Sequence, residues 1–544
     1  MRERSAGHLL VAQLEEHGVP RVYCVPGESY LDVLDGLHDS TIRTVVCRQE
    51  GGAGYMAMAE GRLTKRPGVA MVTRGPGAAN AAIAVDTARK DATALVLFVG
   101  MVPLADRGRA AFQEFDLHSW FGAMAKKVLS LEVPDRAAEV VAEAFHAAAT
   151  GRPGPVVVGL PEDVLVAPAA GDVVPPRPVP GGAVSQEQAG HLVALLERAQ
   201  RPLVVVGGDR WDRSAAARLT GWCERWTLPV ASDFRAHDIV DHASPSYAGW
   251  LGFGCDPAVG ELLDQADLLV FVGCGGGDVL TGGYRRGRSA ARVVVVDTDP
   301  ELETHQLRVD LHLLAAPAAL ADAVAERLPD RRPPWSSWSG RARSAQQRFA
   351  APAPDGARRG VDLGAAMVML RERLDRDALL TYGAGNYAVW AQRYLPHHSY
   401  PSVLAPRNGS MGFGLPAGVA ASLACPGRRV VTVTGDGDFL MNGQELATAV
   451  AHGARPLVLV VDNGMYGTIR AHQQRAYPGR FTGTTLVNPD FAAYSRAFGG
   501  FGEKVTRTDD FPAALERALG ATGPALLHLV VDPDVLAPTP APAS

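Results

Sequence analysis

Val430-Val431-Thr432-Val433-Thr434-Gly435-Asp436-Gly437 is an apolar, β-branched run that stops on Gly-Asp-Gly, and Leu457-Val458-Leu459-Val460-Val461-Asp462-Asn463-Gly464 is a second that stops on Asp-Asn-Gly. Uninterrupted apolar runs of this length, bounded by turn residues, read as strands of a parallel sheet buried on both faces. Asp436 and Asn463 stand 27 residues apart (463 − 436), which places two oxygen donors at the ends of neighbouring parallel strands. From there a carboxylate and an amide grip one hard cation from the same side. A cation left with open positions takes diphosphate oxygens as well. Gly435, Gly437 and Gly464 let backbone N–H groups approach such a phosphate closely. The alternative is a pair of ordinary strand-to-helix turns.

The pattern continues along the chain. Apolar runs of strand length stand at 69–73, 95–100, 156–160, 203–207, 268–273, 293–297, 430–434, 457–461 and 525–531, with helical stretches between them. The expectation is an α/β protein of doubly wound domains with parallel sheets. Pro-, Gly- and Ala-rich sequence at 166–184 and Pro-, Arg- and Ser-rich sequence at 330–360 interrupt the pattern and read as linkers. Three domains follow, at 1–168, 185–328 and 361–544, ending in a Pro-rich tail from Leu536 that frays. A length of 544 residues suits three or four domains.

Bulk properties narrow the partners. With 47% apolar and 20% charged residues the chain can bury several cores, and its formal charge of −5 argues against nucleic acid as a partner. No apolar run reaches the ~18 residues of a membrane span. The start, Met1-Arg2-Glu3-Arg4-Ser5-Ala6-Gly7, runs into an amphipathic helix at 8–17 without a signal-peptide layout. Six cysteines, at 24, 47, 223, 255, 274 and 425, are scattered without a CxxC and read as reduced core thiols. The expected location is cytoplasmic.

Near the N-terminus, Arg48-Gln49-Glu50-Gly51-Gly52-Ala53-Gly54 follows the short strand Thr44-Val45-Val46-Cys47 and opens a helix of small residues. Glu50 is either a helix N-terminal acid complementing the dipole or a carboxylate presented at a site. Val25-Pro26-Gly27-Glu28 and Thr73-Arg74-Gly75-Pro76-Gly77-Ala78-Ala79-Asn80 are strand ends on the same rim. These segments resemble the pyrimidine-binding domain of acetolactate-synthase-like thiamine diphosphate (ThDP) enzymes. Gly435–Gly437 with Asn463 resembles that family's ThDP motif, in which Asp462 replaces the first of two asparagines. The resemblance covers almost the whole chain and is weakest in the middle. It implies that Glu50 hydrogen-bonds N1′ of the aminopyrimidine and drives the 4′-amino group toward its imino form. Pro26, Gly27, Thr73 and Asn80 then lie around the cofactor. Such chemistry needs a carboxyl in a water-poor pocket exchanging one proton near neutral pH. The family carries Gln where this chain has Gly51.

For the C-terminal part the resemblance implies Mg²⁺ held by Asp436, by the Asn463 side chain and by the main-chain carbonyl of Met465, whose thioether is too soft for that ion. Asn386 and Tyr387 replace a Gln-His pair that holds the diphosphate. Met411, within Ser410-Met411-Gly412-Phe413-Gly414, matches an apolar wedge that bends the cofactor, although a core methionine is the commoner fate. Gly409, Gly435, Gly437, Asp438, Tyr466 and Gly467 complete the expected cofactor site. Gln113 and Lys126 match a glutamine and a lysine at the mouth of the family's site, where an amide and a cation suit a carboxylate-bearing 2-oxo acid. A solvated rim lysine is the plainer reading of Lys126. His472 stands where acetohydroxyacid synthases carry a tryptophan, nine residues after the metal asparagine, so the acceptor pocket differs. The implied activity is decarboxylation of pyruvate or a close 2-oxo acid, then carboligation of the enamine to a second carbonyl. Alternatives are a non-ligating decarboxylase and an inactive scaffold or regulatory paralogue, the last opposed by the retained Glu50, Asp436 and Asn463. The family architecture splits the site between subunits, which implies a homodimer or homotetramer.

In the middle, the loop Cys274-Gly275-Gly276-Gly277-Asp278 after the run 268–273, with Asp297 at a later strand end, imitates a dinucleotide fingerprint. A dehydrogenase is therefore the rival enzyme class, weakened because Thr281–Gly287 makes a poor crossover helix. Relatives that hold FAD carry an arginine-bearing Gly-x-Arg-Phe-Asp segment here. Its replacement by Gly-Cys-Gly-Gly-Gly-Asp predicts a retained fold with the flavin site lost.

Overall fold

The two runs that end on Gly-Asp-Gly and Asp-Asn-Gly lie side by side in a computed structural model, which describes residues 4–288, 292–302, 307–353, 357 and 359–538. Val431 pairs with Leu457 and Gly435 with Val461, in parallel register. Asp436 and Asp462 therefore leave the sheet at one edge.

Three six-stranded sheets, all parallel, organise the chain. The first contains β1 (Arg21–Cys24), β2 (Arg43–Val46), β3 (Gly68–Val72), β4 (Leu95–Met101), β5 (Lys127–Ser130) and β6 (Pro155–Pro161), in the order β2-β1-β3-β4-β6-β5. The second contains β7 (Pro202–Val206), β8 (Val230–Ser232), β9 (Tyr247–Trp250), β10 (Leu268–Val272), β11 (Arg292–Asp297) and β12 (Val309–Leu314), in the order β12-β11-β10-β7-β8-β9. The third contains β13 (Leu379–Tyr382), β14 (Val403–Leu404), β15 (Val430–Gly435), β16 (Leu457–Asp462), β17 (Phe501–Val505) and β18 (Ala525–Val530), in the order β14-β13-β15-β16-β18-β17. The first and third sheets thus share one winding. In each, the chain reverses direction across the sheet between the first and third strands, β1/β3 and β13/β15. Ligands of open α/β sheets bind in the crevice at such a switch point, outside the carboxyl ends of the strands.

The central strands β3, β4, β6, β7 and β10 are buried along their whole length, as their unbroken apolar runs require. One hydrophobic core joins the first and third sheets: the helix Glu50–Thr64 packs on the helix Gly414–Ala424, with Tyr55 edge-on to Phe413 at 5.3 Å. The stretch 330–360, read above as a linker, instead contains the helix Ser336–Phe349. Trp335, Trp338 and Ala342 enter the core of the middle sheet, and the Trp338 indole donates to Pro202 O at 3.0 Å. Its prolines and arginines hid two buried tryptophans. The stretch 166–184 does lack regular structure beyond Val166. Of the tail read as frayed, Leu536 accepts a hydrogen bond from Asn386, while 539–544 lie outside the described residues. Among the described residues no helix is long and apolar enough to cross a membrane.

Candidate active site

At the β13/β15 switch point an open cleft of about 970 Å³ collects the loops that follow β13, β15 and β16. Every residue of the third domain singled out above for cofactor or metal, from Asn386 to Gly467, lines it. Val531, Asp532 and Val535 close one side. At the floor, a side chain at Gly437 would place its Cβ 2.5 Å from the Tyr466 ring, so only glycine leaves room there. Asp438 is buried and accepts hydrogen bonds from the Tyr387 hydroxyl (2.7 Å), the Thr434 hydroxyl (2.7 Å), Gly412 N–H (2.7 Å) and Ala384 N–H (3.3 Å). It ties three loops together. Tyr387 is accordingly committed to Asp438 and Gly383, and its hydroxyl is not offered to the cleft.

Asp436, only 3% exposed, accepts from Gly437 N–H at 2.9 Å and from the Asn488 amide at 2.8 Å. The same Asn488 nitrogen donates to Asp462 at 2.8 Å, and Asp462 in turn meets His528 Nε2 at 2.8 Å. Burial, with the Asp462 carboxylate beside it, pushes the Asp436 carboxyl up to about 6. Burial also acts on Asp462, but bonds from His528 and Asn488 outweigh it and hold that carboxyl below its ordinary range. A buried and a half-buried carboxylate sharing one amide form a place where a hard cation relieves repulsion. Asn463 Oδ1 lies 3.2 Å from Met465 N. Asn488 and His528 were not anticipated: Asn488 sits in an ordinary-looking Asn-Pro-Asp turn before a helix capped by Asp490.

The β1/β3 switch point carries the other half. Glu50 opens the helix Glu50–Thr64, and its Oε2 accepts from the Asn80 amide at 2.9 Å. Thr73 shares a hydroxyl contact with Ser29 at 2.8 Å, and Gly27 packs against the Thr73 side chain. Pro26 precedes that contact on the same loop. Gln113 reaches this rim too: its backbone packs on Gly75, its φ is +62°, and its Oε1 is buried without a partner. Lys126 does not. It directly precedes β5, its N–H bonding Pro155 O at the start of β6 (2.7 Å), so parallel topology sends it to the opposite edge of the sheet, about 20 Å away by the length of seven-residue β6. There it bonds Thr150 O, and burial among Arg89 and Arg210 lowers its pKa to about 8. His472 is exposed on the helix Gly467–Ala476, paired with Arg475, and is not in the wall of the cleft.

A further acid missed by sequence reasoning is Glu445. Fully buried, it comes from the third domain and accepts from Arg48 N–H (3.1 Å), Gln49 N–H (3.0 Å) and the Thr448 hydroxyl (2.5 Å). It therefore grips the turn that delivers Glu50. Burial raises its carboxyl to about 7 against those bonds.

Comparison with known proteins decides what these two half-sites are. The family described as thiamine pyrophosphate enzyme, N-terminal TPP binding domain, matches residues 4–120, its central domain matches 190–324, and its C-terminal TPP binding domain matches 383–529. The acetolactate synthase isozyme 2 large subunit of Escherichia coli (strain K12) is 32% identical over 539 residues, covering 96% of this chain and 95% of that one. The chain belongs to the thiamine pyrophosphate enzyme family. The catabolic acetolactate synthase of Raoultella terrigena is 31% identical over 556 residues (97% and 96% covered), and a probable acetolactate synthase large subunit of Methanocaldococcus jannaschii 28% over 540 (96% and 91%). This ThDP enzyme is thus similar to acetolactate synthases along nearly its full length.

Within the ThDP enzyme, the rival dinucleotide reading loses its footing. No helix stands between β10 and β11 among the described residues, so the loop 274–278 leads into no helix N-terminus that could take a pyrophosphate. At the middle sheet's switch point, β7/β10, Gly208 (φ +73°) lies so close to Gly273 that a Cβ would come within 2.0 Å of its carbonyl oxygen. The buried Trp211 indole donates to Gly207 O at 2.7 Å.

Proposed function

We propose that this ThDP enzyme decarboxylates a 2-oxo acid, pyruvate or a close analogue, and ligates the remaining fragment to a second carbonyl compound. The observation that carries the reading is the matched pair of switch points. One presents the hard donors Asp436, Asn463 and the Met465 carbonyl, which would hold Mg²⁺ for the diphosphate. The other presents Glu50, oriented by Asn80. Bound ThDP supplies the electron sink that makes loss of CO₂ from a 2-oxo acid feasible. Glu50 holds and returns the proton at the pyrimidine N1′, its Oε2 tied to Asn80 and its Oε1 free for that exchange. Gln113 turns its unpartnered Oε1 to the substrate rim. Lys126 has no part in this reading, because the sheet places it at the far edge.

Glu50 does not line the cleft of its own chain, so the reading requires two copies, each lending its Glu50 rim to the other's Asp436 cleft. Exposed apolar side chains gather at both rims, Ile83, Phe112 and Trp120 on one and Leu440, Met441, Ile469 and Phe481 on the other, as an interface needs. Ligation rather than simple release follows the acetolactate synthases that the chain resembles. An inactive paralogue is disfavoured by the retention of Glu50, Asp436 and Asn463. The close approach of Gly208 to Gly273 at the β7/β10 switch point, with the missing arginine-bearing segment, supports activity without FAD. Purified enzyme with ThDP and Mg²⁺, given a panel of 2-oxo acids and followed for CO₂ and ligated products by mass spectrometry, tests the reading. No CO₂ from any of them overturns it, and CO₂ without ligated product makes the enzyme a lyase.

A further inference from the structure

A second cavity, of about 600 Å³, lies away from the cofactor cleft between the end of β9, the helix Ser336–Phe349 and the C-terminal half of the helix Tyr387–Tyr394. Its wall is chemically one-sided. Arg343 and Arg371 face it, and no aspartate or glutamate lines it among the described residues. Asp241, whose charge also acts on Arg343, is paired with Arg376 at 3.3 Å and His398 at 2.8 Å. The Arg371 side chain has neither hydrogen bond nor ion pair among the described residues, and Arg343 bonds only the neutral oxygens of Gln346 (2.9 Å) and Tyr247 (3.5 Å). Arginine does not shed its charge in a protein.

Two lining side chains, each 3% exposed, carry donors with no partner among the described residues: Gln392 Nε2 and Trp250 Nε1. Orphaned buried donors in a native fold ask for a missing acceptor. His242 adds no charge, since burial drives its pKa down to about 3 and its Nε2 is spent on His237 O at 2.7 Å. Its ring stacks on Tyr247 at 4.0 Å and Trp250 stands edge-on to Phe349 at 5.6 Å, which gives the cavity an aromatic side.

We propose that this cavity binds a small organic anion, whose carboxylate or phosphate group is held by Arg343 and Arg371 with N–H groups of Gln392 and Trp250, its carbon body lying against the aromatic side. Guanidinium groups meet both oxyanions in the same forked geometry. The site joins the middle and third domains, at the far end of the helix whose beginning, Tyr387, lines the cofactor cleft.

The test uses holoenzyme saturated with ThDP and Mg²⁺, so that the cofactor's own phosphate site is filled. Inorganic phosphate, phenyl phosphate and benzoate are titrated by calorimetry against chloride at equal ionic strength. Saturable binding of one anion per chain is expected for at least one of them, weakened at least tenfold in Arg343→Gln and in Arg371→Gln. Trp250→Phe, which keeps the ring and removes the donor, should weaken it several-fold. ThDP affinity should stay unchanged in all three. Arg371→Gln breaks no hydrogen bond or ion pair among the described residues, so it decides the matter should Arg343→Gln fail to fold. Preference among the three probes separates a phosphate from a carboxylate ligand. No saturable binding to the wild type, or undiminished binding to both Arg371→Gln and Trp250→Phe, overturns the proposal.

Discussion

Replacing Asp436 by asparagine should stabilise the cofactor-free protein while abolishing its response to the cofactor. Burial beside Asp462 raises the Asp436 carboxyl from 3.8 to about 6. Between those values the folded protein holds a proton that the unfolded chain has released. Stability therefore falls as pH rises through that window, and the whole penalty is in place at pH 7. Its size is about 3 kcal/mol. Asp462, held below 3.8, works in the other direction and loses its contribution only as pH falls further. Asparagine keeps the shape but retains one of the two hydrogen bonds now made to Gly437 and Asn488, a loss of about 1 kcal/mol. The net gain of ~2 kcal/mol corresponds to a melting point ~4–8 °C higher for a domain of this size. Thermal scans in EDTA at pH 7 and pH 5 should show Asp436→Asn above wild type, by less at pH 5. Adding ThDP with Mg²⁺ should raise the wild type and leave the variant where it was. A variant that melts below wild type in EDTA at both pH values, or still responds fully to ThDP and Mg²⁺, would refute this account of the buried carboxylate pair.

Four other perturbations follow. Glu50→Gln should bind ThDP normally but exchange its C2 proton ~10²–10⁴-fold more slowly; unchanged exchange, read by NMR after acid quench, would remove Glu50 from the proton path. Glu445→Ala leaves the N–H groups of Arg48 and Gln49 without their acceptor, at about 1–3 kcal/mol for each buried group, so denaturation midpoint and C2 exchange should fall together; a midpoint equal to wild type contradicts the grip described for Glu445. Equal amounts of Glu50→Gln and Asp436→Asn, each inactive alone, should recover about a quarter of wild-type activity after refolding together, because half the dimers are hybrids with one intact site of two; no recovery, with hybrids verified by mass, means that the site is not shared between copies. The purified enzyme should lack a flavin spectrum and work without added FAD, and a stoichiometric flavin required for activity would show that the crevice beside Trp211 opens.

What could be read from the sequence tracks how local each cause is. Strands buried on both faces announce themselves, so β3, β4, β6, β7, β10, β15, β16 and β18 stand within a residue or two of the apolar runs. The unread strands are edge or short ones: β8, β9 and β13 are buried but only three or four residues long, β12 alternates exposed with less exposed positions, β14 has two residues, and β5 and β17 are largely half-buried. They carry no periodic signal long enough to find. The helix Ser336–Phe349 escaped because its buried face, Trp338, Ser339, Ala342 and Gln346, carries a single large apolar side chain set among arginines and serines.

Site residues divide the same way. Asp436 and Asn463 could be placed because strand register and a fixed spacing put both at one edge. Lys126 could not be positioned the same way, because a match in sequence carries no information about which end of a strand a residue lies at, and Lys126 stands just before β5. Glu445 and Asn488 reach their partners across distances that only the fold closes, from position 445 to 48 and from 488 to 436. Their bonds have a functional consequence that a motif does not reveal. The segment from Asp436 to Glu445 touches the metal half of its own cleft at one end and, at the other, the turn that carries Glu50. If two copies share the sites, that ten-residue segment links the metal of one site to the proton-shuttling acid of the other. Loss of Glu445 would then impair a site some distance from the Asp436 on its own chain, which the mixed-variant experiment can read directly by placing Glu445→Ala on one parent or the other.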